Sequence, residues 1–131
     1  MRRWWKNEGG ASALEFALVM PAFCTMVFGT AQMGMAFYNA GTVQYALERT
    51  ARMVMVDQDM TAGQVQAAFA AQIRHMINEN VPVTYSIDSS GTVPVAQLSA
   101  AYVHHFIIPF IPTFNITFDV ESRVPLDPTG T

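Results

Sequence analysis

The residues with the clearest chemistry lie near the start of the chain, in Gly10-Ala11-Ser12-Ala13-Leu14-Glu15-Phe16. Gly10 stands where a polar leader, residues 1–10 with Arg2, Arg3 and Lys6, gives way to a long apolar run. Having no side chain, glycine lets the backbone extend into a protease cleft at a membrane surface. The expected chemistry is therefore hydrolysis of the Gly10–Ala11 bond by another enzyme. An ordinary secretory signal is cut behind its apolar segment, after small residues. Here the small residues come first, so cleavage would leave the apolar segment as the new N-terminus. Glu15 is the second chemical group. A carboxylate at the edge of hydrocarbon is costly and seeks a cation. Glu15 also completes Ser12-x-x-Glu15, a capping box that satisfies helix N-terminal amides without any partner. Both roles stay open at this point.

Other reactive residues form no credible centre. His104 and His105 are adjacent, so on a strand they point to opposite faces and cannot share one metal ion. They are expected at a surface or an interface. His75 has no Cys, Asp or Glu at ligand spacing, and the single cysteine, Cys24, sits inside the apolar run as a small hydrophobe. No Ser-His-Asp, Cys-His or glycine-rich phosphate arrangement is present. No cofactor and no metal are expected, and the chain does not read as an enzyme. Asn115-Ile116-Thr117 fits a glycosylation pattern but falls in the middle of an expected strand.

Composition dictates where these residues sit. The chain has 131 residues, of which 13% are charged, about half the usual share. From Phe16 to Leu47 there is no Asp, Glu, Lys, Arg or His, whereas a spanning helix needs about 20 mainly apolar residues. A transmembrane part is expected at about residues 14–38. Arg2, Arg3 and Lys6 precede it, so the positive-inside rule keeps the N-terminus in the cytoplasm and exports the rest. From Asp57 onward Asp57, Asp59, Glu79, Asp88, Asp119, Glu121 and Asp127 outnumber Arg74 and Arg123. An acidic exported part argues against nucleic acid as a partner.

One long helix is expected over residues 11–56. Its outer half keeps Val43, Ala46, Leu47, Thr50 and Val54 on one face and Gln44, Glu48 and Arg52 on the other, with Glu48 and Arg52 spaced for a surface pair. Pro21 removes one helical hydrogen bond and predicts a kink. Thr30-x-x-x-Gly34 and Ala36-x-x-x-Ala40 put small residues on one side, as helix packing in lipid prefers. The exported domain is expected over residues 57–131. A break at Asp57–Thr61 precedes a second helix from Ala62 to about Asn80, with Val65, Phe69, Ile73, Met76 and Ile77 inward and Gln66, Arg74 and Asn78 outward. Val83–Ile87 alternates, residues 92–106 suit one or two strands, and Phe114–Glu121 is apolar at every even position. The fold class is α+β: a long N-terminal helix, one further helix and a short antiparallel sheet.

Glycine, four residues, then glutamate and an aromatic residue at the start of a long apolar helix resembles the cleavage signal of type IV pilins. The Arg-rich leader and Ala-Leu-Glu-Phe-Ala-Leu-Val-Met-Pro resemble TadE-like pseudopilins, minor pilins of the Tad (tight adherence, Flp) pilus system. The resemblance covers the leader and first helix and is looser over the exported part. It implies cleavage between Gly10 and Ala11 by a prepilin peptidase. Glu15 would then take the pilin glutamate position, pairing with a neighbouring subunit's new α-amino group, with Phe16 beside it where Tyr is usual. Pro21 would be a weak point that lets the helix leave the bilayer. The implied partners are other pilins and pseudopilins, the inner-membrane Tad assembly machinery and the lipid bilayer. The implied place is the bacterial inner membrane, single-pass, with a periplasmic domain. The rival expectation is an uncleaved, signal-anchored protein with an exported binding domain.

Overall fold

The uncharged run and the amphipathic run behind it fold as one helix, α1 (Glu8–Val56), of 49 residues and about 73 Å in length. A computed structural model of the chain describes residues 8–74, 77 and 80–127. The basic leader residues Arg2, Arg3 and Lys6, together with His75, Met76 and Asn78, lie outside them. Chain order continues with α2 (Ala62–Ile73), β1 (Val83–Asp88), β2 (Val95–Phe106) and β3 (Phe114–Pro125). The strands form one antiparallel sheet in the order β1-β2-β3. The α+β class and the further helix follow the sequence reading.

Two expectations about helix ends need correction. α1 begins at Glu8, so Ser12 lies inside it, four residues after its first residue. An N-cap residue must be non-helical, so Ser12 and Glu15 form no capping box in the uncut chain. α2 starts as expected. Thr61 is extended (φ −75°, ψ 158°) and forms a capping box with Gln64, the Gln64 side chain accepting from the Thr61 amide at 2.8 Å. However, α2 ends at Ile73 rather than near Asn80. The Ile77 amide still bonds the Ile73 carbonyl at 2.9 Å, and residues 75, 76, 78 and 79 lie outside the described residues. The Gln66 side-chain amide donates to the carbonyl of Val81 at 3.2 Å and accepts from the Val83 amide at 2.7 Å. Gln66 is thus half-buried rather than outward.

The core lies between the outer half of α1, α2 and one face of the sheet. Val43, Ala46, Leu47, Thr50 and Val54 are all buried, as their spacing predicts. They meet Val65, Phe69 and Ile73 of α2 and Ala96, Leu98, Ala100 and Tyr102 of β2. Thr50 is satisfied there, donating to the Ala46 carbonyl at 2.9 Å and accepting from Gln72 at 3.0 Å. Residues 95–106 form a single strand whose even positions are buried. β3 turns Ile116, Phe118 and Val120 inward and alternates them with exposed Thr117, Asp119 and Glu121. The expected Glu48–Arg52 pair is not formed. Glu48 instead accepts from Gln44 at 2.9 Å, and the one ion pair found among the described residues joins Arg123 to Glu121 at 2.6 Å.

Candidate functional site

Gly10 lies within the first turns of α1, exposed, and a Cβ added to it would meet none of the described residues within 4 Å. Internal packing therefore does not require glycine here. In a helix glycine costs about 1 kcal/mol relative to alanine, so Gly9 and Gly10 make this the cheapest stretch of α1 to unwind. Ala11 continues the helical backbone. Five positions beyond Gly10, Glu15 is exposed and has no hydrogen bond or ion pair with any described residue. Phe16 beside it is 65% exposed.

From Leu14 onward α1 displays large apolar side chains, with Leu18, Val19, Phe23, Met26 and Phe28 all exposed. The stretch is long and apolar enough to cross a membrane, and its most apolar window is not buried within the protein. A helix apolar all round needs cover from lipid or other helices. α1 passes through Pro21 as one continuous helix, and the Thr25 hydroxyl lies 2.8 Å from the Pro21 carbonyl.

One stripe of α1 is covered by the chain's own sheet. A polar series runs along it. The Asn39 amide donates to the Tyr102 hydroxyl at 2.8 Å, and that hydroxyl lies 3.0 Å from His104 Nδ1. His104 Nε2 lies 3.2 Å from Gln32 Oε1, and Gln32 Nε2 donates to the Ile107 carbonyl at 3.4 Å. One direction of donation satisfies every member: Tyr102 donates to Nδ1, and the imidazole proton sits on Nε2 facing Gln32. His104 is only 8% exposed, so the expected surface position is corrected for it. His105 does point to the opposite face, 2.7 Å from Asn115 Oδ1. Ala36 is fully buried and Ala40 packs against the core, so these small residues face this chain's own sheet and not a second helix in lipid. Thr30 and Gly34 remain exposed. Cys24 is half-buried and free.

Residues 10–52 match the family model of TadE-like proteins. The first helix is TadE-like. The match begins at Gly10 and runs through the amphipathic stripe to Arg52, about a third of the chain. No curated protein and no solved structure matches the chain.

The TadE-like helix thus carries Gly10, Ala11, Glu15, Phe16 and Pro21 at one end and a polar inlay toward its middle. Sequence reasoning missed the inlay. Gln32 and Asn39, seven residues apart on one helix face in an uncharged run, were its visible half. Tyr102 and His104, alternate residues on one strand face, were the other.

Proposed function

We propose that this chain is a minor pilin or pseudopilin, cut by a prepilin peptidase between Gly10 and Ala11, that takes part in assembling a Tad-type pilus for surface adherence. The observation carrying this reading is the pair formed by Gly10 and Glu15 on the TadE-like helix. A Cβ at Gly10 would meet none of the described residues, and Glu15 has no partner among them. Packing among the described residues asks for neither side chain, which supports a use in recognition by other proteins. Glu15 and Phe16 then contact a neighbouring subunit, and the free α-amino group made by cleavage supplies the cation for Glu15.

In this reading α1 crosses the bacterial inner membrane once, with the basic leader cytoplasmic and the acidic domain periplasmic. The partners are the prepilin peptidase, other pilins and pseudopilins, the inner-membrane Tad machinery and the bilayer. The protein acts by assembling, with no catalytic step of its own. Pro21 weakens α1 by one hydrogen bond where it must leave lipid for the filament.

The test compares Glu15→Gln with Ser12→Ala for processing, membrane level and pilus-dependent adherence. Glu15→Gln keeps shape and loses charge, so the subunit should be cleaved and inserted normally yet fail to support adherence. Ser12→Ala should be mild. Normal adherence with Glu15→Gln, in cells that require the protein, would defeat the pairing role.

A further inference from the structure

The tip of the β2–β3 hairpin, residues 107–114, is Ile-Ile-Pro-Phe-Ile-Pro-Thr-Phe. It turns large apolar side chains outward: Ile107 is 67% exposed, Phe110 76%, Ile111 40% and Phe114 42%. Phe110 has φ +68°, a conformation uncommon for a bulky residue that points to function where it persists. A water-facing loop would gain nothing from such a residue in such a backbone.

The position of this tip along α1 indicates what covers it. Gln32 bonds the Ile107 carbonyl, and a Cβ on Gly29 would lie 3.7 Å from Ile108 Cδ1. The Thr25 hydroxyl lies 3.3 Å from the Pro109 carbonyl, sharing its proton with the carbonyl of Pro21. The tip therefore lies beside residues 25–32 of the uncharged run. With Glu15 at the inner edge of the hydrocarbon, residue 25 stands about 15 Å and residue 32 about 26 Å along the helix. A bilayer core is about 30 Å thick. Resting on the reading that α1 crosses the membrane, we infer that the 107–114 tip inserts into the leaflet on the exported-domain side, as a second membrane contact beside α1.

The chain is prepared for that depth. From Ser89 to Phe118 there is no Asp, Glu, Lys or Arg, and the charged part of β3 begins at Asp119, about 17 Å along the strand from Phe114. Irregular backbone enters lipid only when its polar groups are satisfied by protein. Here α1 supplies Gln32 to one carbonyl and Thr25 to another, the Ile111 amide bonds the Ile108 carbonyl at 3.2 Å, and Pro109 and Pro112 have no amide hydrogen. The polar inlay then lies at the level of the headgroups, and the span that lipid surrounds on every side is shorter than residues 14–38.

Spin labels on single cysteines test this in the full chain, with Cys24→Ala as background, reconstituted at low protein density in phosphatidylethanolamine–phosphatidylglycerol vesicles. Labels go to Phe110→Cys and Ile107→Cys in the tip, Met26→Cys on the lipid-facing side of α1 at the same level, and Ser90→Cys in the β1–β2 turn. Collisions with oxygen and with a water-soluble nickel chelate are compared. The tip labels should match Met26, open to oxygen with loss of nickel collisions, while Ser90 meets nickel freely. Nickel access at Phe110 and Ile107 with Met26 shielded overturns the insertion and leaves the anchor intact. Shielding of the tip from both reagents also overturns it, in favour of contact with a second copy. Nickel access at Met26 overturns the anchor and the insertion together.

Discussion

His104 Nε2 lies 3.2 Å from Gln32 Oε1, joining strand β2 to helix α1 across 72 positions of sequence. This contact and its neighbours at Asn39, Tyr102 and Ile107 fix how far the hairpin reaches along the helix. His104→Leu removes the ring and leaves the Tyr102 hydroxyl proton and Gln32 Oε1 without partners. Unfolding of the full chain in detergent should show a loss of about 1–3 kcal/mol. Gln32→Leu should cost a similar amount. The double variant should cost less than the sum of the two, because their losses overlap.

Tyr85 offers the opposite case. Its hydroxyl is buried with no partner among the described residues, and burial raises its pKa above the ordinary value of 10.0. Tyr85→Phe should therefore be neutral or stabilising, by up to about 1 kcal/mol. The pH dependence follows. Above pH 10 the unfolded chain ionises Tyr85 more readily than the folded one and binds fewer protons there, so this residue's contribution falls as pH rises. Melting curves at neutral pH and above pH 10 should show that Tyr85→Phe removes part of the alkaline loss.

Thr61 and Gln64 start α2 through their capping box. Thr61→Ala should lower stability by about 0.5–2 kcal/mol, and Thr61→Ser should restore most of it. Denaturant midpoints of the three proteins decide the matter. Equal midpoints would mean that α2 is held by Val65, Phe69 and Ile73 alone.

Orientation is tested by protease added to spheroplasts. The domain after Asp57 should be digested, while the leader of an uncleaved Gly10 variant survives. The basis is the Arg2, Arg3 and Lys6 bias against the acidic domain. Protection of the domain would reverse the topology.

What could be read from the sequence was whatever a local period encodes. The stripe Val43, Ala46, Leu47, Thr50 and Val54 repeats at helical spacing and is buried. The even residues of β3 from Ile116 to Val124 repeat at two and face inward. The Thr61 cap is written within four residues. What stayed hidden depends on distant pairings. Gln66 of α2 holds Val81 and Val83, a pairing that helical propensity does not register. His104 is buried because Gln32 lies opposite, and the hairpin's reach along α1 follows from that contact. The capping box at Ser12 failed because α1 begins one turn earlier, at Glu8. Gly10 and Glu15 were singled out by type and spacing alone, and their proposed use lies in other proteins and not in this fold.

The central claim is cleavage after Gly10, and the intact mass of the protein recovered from membranes tests it most directly. The mature chain should begin at Ala11, lacking ten residues, with net charge two units more negative than −3 because Arg2, Arg3, Lys6 and Glu8 are removed. Gly10→Leu should abolish cleavage without harming the fold, since a Cβ there would meet none of the described residues. A mature protein that still begins at Met1 would contradict the account.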